Sequence, residues 1–113
     1  MGLAYNNKGD YDGALEFDGK SLVIKLATLA ENHPDTAMTY DNIGVAHKNK
    51  DEFDMALEYY GKDLAITLVT LGENHPDTAG TYSNIGNAYY CMRNYDNALE
   101  YYGRILATTP ILP

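Results

Sequence analysis

Tryptophan is absent from this chain of 113 residues, cysteine occurs once, and positive charge is scarce. The lone Cys91 excludes an internal disulfide and the disulfide-stapled folds of small secreted proteins, so a reducing, cytoplasmic setting is expected. No apolar run approaches the ~20 residues that cross a bilayer. The opening MGLAYNNKGD lacks the basic-then-apolar pattern of a secretory signal. No membrane partner is expected. Eight Lys and Arg stand against sixteen Asp and Glu, a formal net charge of -8. Nucleic-acid binding needs a basic footprint to displace counterions from phosphates, and this balance opposes it. Much of the acid falls at expected helix starts (Asp10, Asp12, Asp51, Glu52, Asp54, Asp96), where carboxylates meet the positive end of the helix dipole. Acidity alone therefore names no basic partner.

Catalytic patterns are missing too. No glycine-rich phosphate loop follows a strand, because no strand pattern occurs, and Cys91 has no local nucleophile signature. His33, His47 and His75 have no Cys, His or carboxylate neighbours at ligand spacing. An enzyme is not expected, and neither a metal nor a cofactor is. The repeated His-Pro is read as a capping and linker element.

What the chain has is repetition. ENHPDTA occurs at 31–37 and again at 73–79, an offset of 42 residues. That offset also aligns Gly2 with Gly44 and Gly86, three Ala-Leu-Glu triplets beginning at Ala14, Ala56 and Ala98, and Gly19 with Gly61 and Gly103. Residues 1–42 and 43–84 share 25 identities, far beyond coincidence. With 45% hydrophobic residues, the repeats have enough apolar matter to pack.

Each unit reads as two helices. Tyr40, Ile43, Gly44 and His47 recur at helical spacing in the first, as do Tyr82, Ile85, Gly86 and Tyr89. A glycine inside such a stripe costs about 1 kcal/mol against alanine, so its recurrence implies close approach of the second helix, expected at Ala56 or Ala98. The second helix carries Phe53, Leu57, Tyr60, Leu64, Leu68 and Leu71 as its buried stripe. Pro34 and Pro76 suit a first helical position, followed by Asp35 and Asp77. Asp10, Glu52 and Asn94 stand where the second helices start. Gly9 can end a helix in the left-handed region, where Asp51 and Arg93 replace it at a cost. Helices are expected near 1–8, 11–30, 35–49, 53–72, 77–91 and 95–108.

The Gly-x-Ala-(Tyr/His) pattern of the first helix and Ala-Leu-Glu-(Phe/Tyr) of the second resemble the tetratricopeptide repeat. The 42-residue unit, with its Leu-Gly-Glu-Asn-His-Pro-Asp-Thr-Ala linker and Tyr-x-Asn-Ile-Gly start, is similar to the variety found in kinesin light chains. The resemblance implies an all-α solenoid, a right-handed superhelix of antiparallel helix pairs. It spans 1–113 as one array, with units 1–42 (its first helix shortened), 43–84 and 85–113. First helices of such arrays line a concave groove that takes a partner segment, so a protein-interaction scaffold is expected. Departures from the family pattern are Ser21, Asp63 and Ile105, where a small residue is usual, and the glycines at 19, 61 and 103. The long coiled coil of a kinesin light chain is absent.

On the face of the first helices opposite the buried stripe stand Met38, Asp41, Asn42, Val45, Lys48 and Asn49, then Gly80, Ser83, Asn84, Asn87, Tyr90 and Cys91, with Asn7 in the first unit. Carboxamides donate and accept at once, so the aligned pairs Asn42/Asn84 and Asn7/Asn49 suit contact with a peptide backbone. The competing reading has these asparagines bridging neighbouring helices or facing water. Asp41, Lys48 and Tyr90 would add specificity, and without a dense basic lining a strongly acidic ligand is not favoured. The Gly19/Gly61/Gly103 column is either a close-approach surface for another chain or a tolerant exposed position. Self-association is expected at the array's ends, around Leu22, Leu26 and Leu29, and at Tyr102, Ile105, Leu106, Ile111 and Leu112. A tail folded back over the last helix would leave a monomer instead.

Overall fold

A computed structural model describes residues 8–108. They form five helices: α1 (Lys8–Thr28), α2 (Pro34–Asn49), α3 (Phe53–Thr70), α4 (Pro76–Cys91) and α5 (Tyr95–Thr108). Each helix packs against the next along the chain. The expected boundaries hold to within about two residues from α2 onward. The expected helix at 1–8 lies, apart from Lys8, outside the described residues. Gly9 and Asp10 do not separate two helices there, since both lie inside α1. Asp10 stands in that helix's first turn, where its carboxylate meets the dipole instead of capping.

The helix ends follow their local chemistry. His33 and His75 are the N-caps of α2 and α4, each ring accepting through Nδ1 from the backbone N–H two residues on, at 3.0 Å. Pro34 and Pro76 follow as first helical residues, where a missing N–H costs nothing. At the opposite ends Asp51 and Arg93 take φ of 62° and 63°. The N–H of Glu52 reaches the His47 carbonyl and that of Asn94 reaches Tyr89, closing a Schellman motif on residues that bear the left-handed strain glycine would escape. Glu52 makes no side-chain cap on α3, because its carboxylate is engaged by the His47 ring at 2.8 Å. Asn94 does accept from the Asn97 N–H.

Ala56, Tyr60, Ile85 and Ala88 form the core where α3 meets α4. Close approach at the first-helix glycines is real, but its partner is an aromatic ring and not an alanine. A Cβ on Gly44 would lie 2.6 Å from the Tyr60 ring, and one on Gly86 would lie 2.7 Å from the ring of Tyr102. The buried line of α3 also differs from the expected stripe. It runs through Ala56, Tyr60, Asp63, Ile66 and Thr67, while Leu68 and Leu71 are exposed. The reason is that α3 packs against both α2 and α4, and its buried Asp63 accepts from Thr81 of α4.

Aromatic stacks repeat with the units. Tyr59 lies against Tyr40 and His47 with Lys62 over the rings, and Tyr101 lies against Tyr82 and Tyr89 with Arg104 above. Such ring and cation contacts add to the area they bury. Gly19, Gly61 and Gly103 have open space where a Cβ would stand.

Candidate functional site

The His-Pro starts bring α2 and α4 onto the same side of α3. Between the three helices lies an open cleft of about 420 Å³. From α2 come Pro34, Ala37, Met38 and Asp41, and from α4 come Pro76, Asp77, Gly80, Thr81 and Asn84. The second half of α3 supplies the floor, with Asp63, Thr67, Thr70 and Leu71. Met38 offers an apolar wall, 63% exposed, and Gly80 leaves room because it has no side chain.

Two carboxylates define the electrostatics. Asp63, only 6% exposed, accepts from the Thr67 hydroxyl at 2.9 Å and from Thr81 at 3.2 Å. Burial pushes its pKa up from 3.8 to about 6, with the Asp41 and Asp77 charges acting in the same direction and the two hydroxyls against it. Asp41 is also raised by burial, countered by the amide of Asn84, whose Nδ2 donates to Oδ1 at 2.7 Å. That bond ties α2 to α4 across the mouth of the cleft.

The sequence-derived candidates are distributed unevenly. Asp41 and Asn84 line the cleft and bond each other, so Asn84 follows the bridging alternative at that position. Asn87 is likewise engaged, accepting from the Tyr102 hydroxyl within its own helix pair. Asn42, Val45, Asn49 and Tyr90 are exposed, and Lys48 and Ser83 are half-buried. Asn7 lies outside the described residues. Of the self-association set, Tyr102 and Ile105 are half-buried, with Tyr102 turned inward against Gly86. The side chain of Leu106, with Ile111 and Leu112, lies outside the described residues. On α1, Leu22 is half-buried, as is Leu29 just past the helix, while Val23, Ile24 and Leu26 are exposed by more than half.

Asp63, Thr67 and Thr81 are the site residues that sequence reasoning missed. Their signal was present: Asp63 replaces a usual small residue on a helix face that otherwise packs. Among the described residues no helix is long and apolar enough to cross a membrane.

The sequence pattern of the tetratricopeptide repeat family matches residues 1–67 and 47–110. Among solved structures the chain is similar to BtubC (BKLC) from P. vanneervenii, with 29% identity, a TM-score of 0.84, and coverage of 88% of this chain and 39% of that one. It is similar in fold to a putative kinesin light chain with nearly identical TPR-like repeats from Podosopora anserina, with 21% identity, a TM-score of 0.83, and coverage of 95% and 51%. A substituted form of that Podosopora anserina protein matches at 21% identity and a TM-score of 0.84, covering 95% and 50%. This chain thus spans at most about half the length of these structures. No curated protein sequence matches it significantly.

Proposed function

The chain belongs to the tetratricopeptide repeat family, and from that premise we propose that its cleft-bearing face binds an extended segment of a partner protein. The observation that carries this reading is the cleft itself. It is open, walled by the first helices of two successive units, and lined by both apolar and hydrogen-bonding groups. Beside it, the exposed Asn42, Val45, Asn49 and Tyr90 give a segment further contacts along the same helices. The function is interaction and scaffolding, and no catalytic role is assigned.

Selection from a random peptide display library tests the proposal. Peptides recovered on this protein should lose binding to Gly80→Trp, which sets a bulky ring in the cleft where a Cβ meets nothing within 4 Å. Peptides that bind the variant equally would place the interface elsewhere.

A second reading is self-assembly as part of a larger scaffold, favoured by Val23 (68% exposed), Ile24 (63%) and Leu26 (54%) on α1. Light scattering across a concentration series decides it. Growth in mass that Ile24→Glu abolishes supports the assembly, and a 12.5 kDa species throughout contradicts it.

A further inference from the structure

The 42-residue repeat allows one interface of the chain to be compared with the next. Between α1 and α2, the Lys25 ammonium donates to the Thr39 hydroxyl at 2.7 Å and to the Asp35 carbonyl at 3.5 Å. Between α3 and α4 the matching acceptors are the Thr81 hydroxyl and the Asp77 carbonyl, and the position of Lys25 is taken by Thr67. The cation of the first interface has no counterpart in the second. In its neighbourhood stands a carboxylate instead, since Asp63 occupies the position of Ser21.

Acceptors in the second interface outnumber donors. The single hydrogen of the Thr81 hydroxyl has two acceptors within reach, Asp63 Oδ2 and the Asp77 carbonyl, each at 3.2 Å, and when it turns to the carbonyl, which already takes the helical N–H of Thr81, Asp63 Oδ2 loses its donor. Each Asp63 oxygen takes one hydroxyl and retains further lone pairs. Among the described residues no lysine, arginine or histidine forms an ion pair with Asp63 or Asp41. A buried carboxylate is stabilised above all by a cation that also hydrogen-bonds it.

We propose that the cleft between α2, α3 and α4 is a socket for one positively charged side chain, lysine or arginine, of the partner segment. Asp63 is its counter-ion, and the Thr81 hydroxyl and Asp77 carbonyl are its further acceptors. Met38 and Ala37 flank the aliphatic stem, which packs on apolar surface while the charged head reaches the floor. The assignment rests on the groove reading above and gives it a ligand chemistry, a basic partner segment.

The test uses the peptides recovered from the display library. They should share one lysine or arginine position, and replacing that residue by a neutral isostere (citrulline for arginine, norleucine for lysine) should weaken binding at least about tenfold. Asp63→Asn should weaken the charged peptide by a similar factor and leave the neutral peptide unaffected, so that the two losses do not add. Selected peptides that lose binding to Gly80→Trp yet carry no shared cation, or that bind Asp63→Asn unchanged, would overturn the socket while leaving the groove intact. Peptides indifferent to Gly80→Trp, or none recovered, would remove both. The isosteric peptide keeps the test open even if the Asp63→Asn protein fails to fold, since a neutral peptide that binds as well as the charged one refutes the socket unaided.

Discussion

Two side chains with the same repeat position behave differently, and the difference is physical. The Thr78 hydroxyl donates to the Gly72 carbonyl at 2.6 Å, which the left-handed φ of +89° at Gly72 turns toward it. In the preceding unit Ala30 stands at the Gly72 position without that conformation, and the buried Thr36 hydroxyl has no partner among the described residues. Thr78→Val should therefore destabilise by about 1 kcal/mol, whereas Thr36→Val should be neutral or stabilising. Chemical denaturation of both variants checks the contrast, and equal losses would refute it. Asp63 yields a second residue-scale prediction, with Asp41 and Asp77 as the charged groups facing it. Its folded pKa of about 6 exceeds the ordinary 3.8, so the folded state keeps a proton that the unfolded chain has lost. The resulting stability is present in full below about pH 4 and is lost as pH rises through 6. Asp63→Asn should thus be more stable than the parent at pH 7.5 by roughly 1–3 kcal/mol, with the gap closing toward pH 4. A gap that widens on acidification would contradict the burial argument. None of this was legible from composition. An aspartate among apolar residues announces a departure, but only the packing of α3 between α2 and α4 says which face it lies on.

At the scale of the element, the sequence is most legible where the backbone has a covalent or steric reason to stop. His-Pro-Asp marks the starts of α2 and α4, and the left-handed Asp51 and Arg93 stand just past their ends. It is less legible where a helix meets two neighbours at once. A single amphipathic stripe was expected on α3, but contact with both α2 and α4 leaves Leu68 and Leu71 exposed while Asp63 and Thr67 are buried. The two glycine columns now separate cleanly. Gly44→Ala pushes a methyl against the buried Tyr60 ring and should cost roughly 1–3 kcal/mol. Gly61→Ala meets open space and should gain up to about 1 kcal/mol from helix propensity and from the unfolded chain. Thermal melts of the pair report both signs together. A destabilising Gly61→Ala would mean that this column is a packing surface after all.

For the whole molecule, repetition makes fold legible and hides site. Identities between units report the contacts that every unit must make: the glycine under the tyrosine ring, the aromatic stacks and the His-Pro caps. A ligand is recognised by what differs between units, such as Asp63 against Ser21, Thr67 against Lys25 and Gly80 against Met38. The asparagines recur between units, yet two of them, Asn84 and Asn87, are engaged within the protein. Two-dimensional amide NMR of the labelled chain, titrated with a display-selected peptide, tests the central claim most directly. The account predicts that the perturbed amides cluster at Met38, Asp41, Asp63, Gly80, Thr81 and Asn84. Perturbations gathered instead on α1 around Val23 and Ile24, or on the outer faces of α3 and α5, would contradict it.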